Sequence, residues 1–346
     1  MLSFTREDVE GFTRPLCSKE MLEKKLGNLE QVERSFEERS EVCAGMPIEL
    51  NLEPSGNCNL RCRGCPRGRG SIKRSGNLPY EVFERIISQI GETLCNVFIS
   101  GFGEPLSNDD TPRMVASASR CGASTVMNTN GTLLSKHVEA LLEAQLTLIN
   151  VALDGATTDS YHQYHSEAQF ESVVRGVERL RQRKDQRGLR YPIIEGQFLI
   201  REDSLSEIDR LKTWAEGIGI ERVKFKRPYL SIPGEEERLA VESVSEYLRL
   251  LGLDNVRSTE KLQWTPADCA LPWDNVLLSC TGQIGICCYD PHLRLQLNEP
   301  GEPLDIVGLW NGDKIRKVRR WLSGQETRAV NPCSRCNRLP GYLVPL

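Results

Sequence analysis

From residue 46 onward the chain alternates short apolar runs with longer amphipathic stretches. Six apolar runs read as strands, at 48–52, 97–100, 125–128, 148–153, 193–200 and 222–225. Between them lie patterns with helical spacing. The clearest is 79–90, where Val82, Phe83, Ile86, Ile87 and Ile90 fall on one face; 170–180 and 206–214 behave alike. A strand followed by a helix, repeated along the chain, predicts an α/β fold with a parallel sheet and helices outside. That sheet is either open and doubly wound or closed into a full or partial β/α barrel. In both architectures chemistry gathers at the carboxyl ends of the strands.

The unusual residues do follow those ends. CNLRCRGCP (58–66) comes after the first strand, GFGEP (101–105) after the second, NTNG (128–131) after the third and Asp154-Gly155 after the fourth; Lys226 and Arg227 end the sixth. Ahead of this region, residues 1–45 are polar and read as a helical extension. After the predicted barrel (46–230), residues 231–260 read as a helical linker, and 261–346 as a smaller cysteine-rich α+β domain.

Composition narrows the choices. With 27% charged and 39% hydrophobic residues, the chain is in the range of folded globular proteins. A net charge of −4 disfavours nucleic acid as the main partner. No apolar run approaches the ~18–20 residues of a membrane span, so no membrane role is expected. The N-terminal residues have no apolar core of a secretory signal, and a cytoplasmic location is the expectation. In that reducing compartment thirteen cysteines point to metal or redox centres rather than disulfides. Three cysteines lie in 58–65 and six in 269–336, whereas Cys17, Cys43, Cys95 and Cys121 are scattered and read as small buried thiols.

Structural zinc closes four ligands in a tetrahedron, and Cys58, Cys62 and Cys65 have no fourth Cys or His nearby. A [4Fe–4S] cubane fits better, because one short loop can serve three corners and leave one iron open. The spacing Cys58-x3-Cys62-x2-Cys65, on the loop after the first strand, resembles the signature of the radical S-adenosylmethionine (SAM) superfamily. The resemblance implies a partial (β/α)6 barrel in which the open iron chelates SAM. One electron, from a donor such as flavodoxin or ferredoxin, then yields a 5′-deoxyadenosyl radical that removes hydrogen from carbon. Gly101, Gly103 and Glu104 match the family's glycine–glutamate segment, which holds the methionine amino group; an anionic Glu104 suits an ammonium. Asn130 and Asp154 fall where the family lines or supports the SAM pocket. Ala152 and His165 stand where many relatives have Ser and Arg, so a contact to SAM is made differently here, with Gln197 as one candidate.

The tail has Cys269, Cys280, Cys287, Cys288, Cys333 and Cys336. A small lobe with little apolar core needs a staple, and four-thiolate zinc is one reading. The tail also resembles the SPASM/twitch extension of radical SAM enzymes, in its Pro-Trp, Gly-Leu-Trp-Asn and final Cys-x2-Cys. That resemblance implies one auxiliary [4Fe–4S] cluster on Cys269, Cys287, Cys333 and Cys336, with Trp273 and Trp310 packed around it. Cys288 and Cys280 are then spare, and each is a candidate hydrogen donor. The chain looks most like twitch enzymes that act on small molecules, aminocyclitols and aminosugars, by dehydrogenation or epimerisation, with dehydrogenation preferred. Asp154, Glu195, His165, Lys226 and Asp290 are candidate acid/base or substrate residues. The alternatives are a maturase of a ribosomal precursor peptide, with 1–45 used in docking, and a non-enzymatic zinc protein.

Overall fold

The computed structural model describes residues 5–9, 11, 17–62, 65–162, 164–165, 169–199, 208–226, 268–299 and 301–335. The expected linker at 231–260, and also Arg227 and Cys336, lie outside the described residues.

Six strands are found within about a residue of the runs read from sequence: β1 Glu49–Leu52, β2 Asn96–Ile99, β3 Ser124–Thr129, β4 Leu148–Ala152, β5 Ile193–Leu199 and β6 Arg222–Lys226. Two more follow, β7 Asn275–Leu278 and β8 Ile284–Gly285. The sheet order is β6-β5-β4-β3-β2-β1-β7-β8. Neighbours from β6 to β7 are parallel, and β8 alone is antiparallel. This is the α/β partial barrel expected, extended on the β1 side by two strands from the tail.

Strand side chains alternate faces with period two. One set, including Leu50, Leu52, Val97, Ile99, Met127, Ile149, Val151, Ile194 and Phe198, joins the helices in one continuous core. The helix Tyr80–Ile90 contributes Phe83, Ile86, Ile87 and Ile90 to it. The helix Leu134–Glu143 adds Val138 and Leu141, and Phe170–Gln186 adds Val173, Val177 and Leu180. At about 1.5–3 kcal/mol for each large aliphatic side chain buried, this face holds the barrel together. The other set carries the polar residues Asn51, Asn96, Asn128, Asn150, Glu195, Gln197 and Lys224, with Phe98, Val126, Leu148, Ile193 and Leu199 among them.

The N-terminal segment and the tail clamp one another. The helix Lys19–Glu37 is capped by Ser18, whose hydroxyl accepts from the Met21 amide at 3.2 Å. In its last turn, Phe36 packs edge-on against Trp273, with ring centroids 5.5 Å apart. The Trp273 indole donates to the Ser40 carbonyl and the Trp310 indole to that of Gly45, each at 2.8 Å. Both tryptophans therefore anchor the N-terminal segment. Arg319, fully buried, donates to the carbonyls of Pro272, Glu41 and Trp310. The cysteine-rich tail, read as a separate domain, is joined to the barrel through β7 and the shared core.

Candidate active site

The loop after β1 carries Cys58, Cys62 and Cys65 to the carboxyl edge of the sheet, as its place in the sequence requires. Burial pushes the Cys58 thiol up and the Cys62 thiol well up; Cys65 adds to both shifts and Cys58 to that of Cys62. The three sulfurs therefore share one neighbourhood. Among the described residues no three Cys, His, Asp or Glu side chains converge on a single-ion site. Sulfurs that are close but not convergent suit the separate corners of a cubane, whose iron charge would stabilise the thiolates. The Cys58 sulfur accepts from the Leu60 amide at 3.4 Å and from the Asn130 side-chain amide at 3.8 Å. Nearby, the fully buried Tyr161 hydroxyl has no partner among the described residues. A donor set of this kind, with an orphaned O–H beside it, fits the cluster.

The segment after β2 is built for close approach. Gly101 has φ +143, a backbone region that L side chains rarely adopt, and a Cβ there would meet the Glu53 side chain. A Cβ on Gly103 would lie 2.0 Å from the Ser55 carbonyl oxygen. The Glu104 carboxylate turns inward, accepting from the Thr129 hydroxyl at 2.6 Å and from the amides of Leu106 at 3.0 Å and Asn130 at 2.8 Å. Burial pushes its carboxyl up, and these three donors oppose the shift. Three donors from the fold thus meet its carboxylate beside the close backbone approach of Gly101 and Gly103.

Asn130 holds the cluster loop, its side-chain amide also donating to Asn59 at 3.0 Å. Asp154, at φ 50, accepts from the Leu199 amide at 2.7 Å and meets His165 Nε2 at 2.8 Å. The other imidazole nitrogen, Nδ1, lies 3.1 Å from the Cys62 sulfur. Gln197 is on the polar face of an internal strand, its carbonyl oxygen 3.3 Å from the Asn150 amide nitrogen. Glu195 is nearly fully buried and 3.6 Å from Lys224 Nζ. Lys226 ends β6.

Three residues were not singled out from sequence. Glu53, directly after β1, is bonded by Arg74 at 2.7 and 3.0 Å and accepts from the Phe102 amide at 3.1 Å. It also receives the Cys280 amide at 3.4 Å. The third is Tyr161, one turn before His165. Nothing local marks Glu53 or Arg74, since each gains its partners from distant segments.

In the tail, burial chiefly raises the Cys287 thiol, and Cys288, Cys269 and Cys333 add to it. Three of the four expected auxiliary ligands thus lie together, and Cys336 is outside the described residues. Asp290 accepts from the Leu295 amide of its own loop at 2.8 Å.

Residues 52–208 match the family model of the radical SAM superfamily. This stretch is a radical SAM domain. Its likenesses are distant. The AdoMet-dependent heme synthase of Methanosarcina barkeri is 29% identical over 137 residues, 39% of this chain and 39% of that protein. The chain thus spans about two fifths of that relative. A probable GTP 3′,8-cyclase of Methanococcus maripaludis is 26% identical over 288 residues, 78% of this chain and 91% of the relative. The crystal structure of Streptococcus suis SuiB superposes with a TM-score of 0.61 at 16% identity, covering 88% of this chain and 74% of SuiB. That likeness shows the fold of the radical SAM domain and its flanks. No helix among the described residues is long and apolar enough to cross a membrane.

Proposed function

We propose that this chain is a radical SAM oxidoreductase that removes hydrogen from a C–H bond of a small polar substrate of the aminocyclitol or aminosugar type. The observation that carries this reading is the polar face of the sheet. Asn150 is buried there, and its side-chain oxygen has no partner among the described residues. Its amide nitrogen is already engaged, 3.1 Å from Asn128 Oδ1 and 3.3 Å from Gln197 Oε1. An unpaired acceptor in such a place costs about 1–3 kcal/mol unless a ligand supplies a donor. A hydroxyl or amino group does so.

Cys58, Cys62 and Cys65 would hold the SAM-binding cluster, and Cys269, Cys287, Cys333 and Cys336 the auxiliary one. When bound, these groups and SAM supply a hydrogen-abstracting 5′-deoxyadenosyl radical and a one-electron sink. The residues of the chain orient the substrate and move its proton. Asn128, Asn150 and Gln197 present amides to substrate hydroxyls. Glu195 accepts the hydroxyl proton as the carbinol carbon becomes a carbonyl, with Lys224 offsetting its charge. Oxidation is preferred to epimerisation because three tail cysteines are grouped at Cys287.

The test is anaerobic turnover with SAM and reductant against aminocyclitols, aminosugars, nucleoside triphosphates and short peptides. An aminocyclitol or aminosugar product two mass units lighter supports the reading. In such a reaction Asn150→Ala should raise KM about tenfold, within the range of one lost hydrogen bond. Modification of a peptide or nucleotide alone would overturn it.

A further inference from the structure

We propose that the buried ion pair of Glu53 and Arg74 is a positioning pair for the SAM site. It holds the backbone of Gly101 and Phe102 and the tail loop that carries Cys287 in one frame, so that SAM binding at the first is felt at the second. Neither residue touches the reacting atoms in this account.

Arg74 belongs to the segment that returns from the cluster loop, and its backbone carbonyl accepts from the Arg67 guanidinium of that loop. Its own guanidinium is shared between two partners. Nε and Nη2 meet the two Glu53 oxygens at 2.7 and 3.0 Å, and Nη1 donates to the Pro291 carbonyl. Pro291 directly follows Asp290, whose amide is bonded at 3.2 Å to the carbonyl of Cys287. On its other side Glu53 accepts from the Phe102 amide at 3.1 Å and from the Cys280 amide at 3.4 Å. Gly101 lies so close that a Cβ there would be 2.5 Å from Glu53 Cγ. The guanidinium also stands over the Phe102 ring, 5.5 Å from its centroid.

The Glu53 side chain is 1% exposed and that of Arg74 14%. Burying such a pair costs desolvation that its attraction barely offsets, so stability is a weak reason for it. What the pair supplies is geometry. A forked guanidinium and a carboxylate fix each other's planes, and their remaining bonds go to backbone groups of three separate loops, at Phe102, Cys280 and Pro291. Gly101 itself is exposed, so its backbone is open to a ligand while Glu53 backs it. A ligand that fixes this backbone also fixes Glu53, and through Arg74 the Pro291 loop. Within that loop the amides of Asp290, Leu293, Leu295 and Gln296 are all hydrogen-bonded, so their exchange with solvent reports how firmly it is held.

The test is hydrogen–deuterium exchange of the reconstituted holoenzyme with and without SAM, beside equilibrium dialysis of labelled SAM. In the wild type, saturating SAM should slow exchange of the amides in 288–296 about fivefold or more. Arg74→Gln leaves the Glu53 charge unpaired; its Kd for SAM should rise about tenfold, and the response at 288–296 should vanish. Arg74→Lys keeps a charge beside Glu53 but not the fork that reaches Glu53 and Pro291 together. It should bind SAM within about threefold of the wild type and still lose the response. A pair that only stabilised the fold would not separate these two readouts. An unchanged affinity in Arg74→Gln, or a full response in Arg74→Lys, would overturn the proposal. So would a wild type that binds SAM with no change at 288–296. If Arg74→Gln fails to take up iron, the response of Arg74→Lys decides alone. The inference rests on the SAM-site reading above: a wild type that binds no SAM would overturn both, and that absence of binding tells it apart from failure of the pair alone.

Discussion

The carboxylate of Glu104 accepts the backbone amide of Asn130 at 2.8 Å, and so the loops after β2 and β3 form one unit. The cluster loop belongs to the same unit, since Asn130 also donates to Asn59 and to the Cys58 sulfur. Glu104 thus fastens the loops after β1, β2 and β3 together through Asn130.

Glu104→Ala leaves the Thr129 hydroxyl and the Leu106 and Asn130 amides without their acceptor. At about 1–3 kcal/mol per orphaned buried group, partly relieved by water entering the space, the variant should lose about 2–4 kcal/mol of stability. Chemical denaturation of the iron-free chain measures this. SAM binding should weaken in parallel. Weakened binding at wild-type stability would favour the direct-contact reading.

Replacing Cys58, Cys62 and Cys65 together with Ala should halve the iron content of reconstituted protein, from about eight per chain to about four, as one of two cubanes is lost. SAM cleavage should disappear. Cleavage by the triple variant would remove the assignment of the open-iron cluster to this loop.

Arg319→Leu should release the N-terminal segment from the tail. Its guanidinium meets no carboxylate among the described residues. It is held by the carbonyls of Pro272, Glu41 and Trp310, by the Asn311 side chain at 2.6 Å, and by the Trp310 ring at 4.8 Å. Burial lowers its pKa to about 10, which keeps it charged at neutral pH. Three backbone acceptors left unpaired, each at about 1–3 kcal/mol, are a large fraction of a typical domain's stability. Limited proteolysis should cut near residues 38–46 in the variant and spare the wild type; equal resistance would show that the tryptophan anchors suffice.

Turnover in deuterium oxide separates oxidation from epimerisation. Burial first, and then Glu53, push the Cys280 thiol up to about 12. It therefore keeps its proton at all ordinary working pH values, as a hydrogen donor must. An epimerase would place one deuterium at the inverted carbon, and Cys280→Ala or Cys288→Ala would stop product while 5′-deoxyadenosine still formed. We expect instead an unlabelled product two mass units lighter from both variants. Deuterium in a product of unchanged composition would reverse that expectation.

Much of this architecture is legible in the chain because the signals are local. Six strands are found where the apolar runs fall, since a strand buried against helices has to be apolar at every second position. Pro79, Phe83, Ile86, Ile87 and Ile90 specify a helix and its buried face within twelve residues. Three cysteines within eight residues offer three thiols close together wherever the loop is placed.

The rest depended on which distant segments meet. A strand pattern states which face is buried but not which neighbour it pairs with, so the parallel register of β7 on β1, Glu49 against Asn275, could not be read from either strand. Glu53 meets Arg74, Phe102 and Cys280, and His165 meets Cys62, and each of these partners lies well outside any local pattern. Glu104 shows the same limit from the other side: its position after β2 was evident from sequence, but the direction of its carboxylate was not. Local sequence determines element type and the chemistry a loop can offer. Hydrogen-bond partners across the fold are decided only when packing brings the elements together and leaves each buried polar group the donors within its reach.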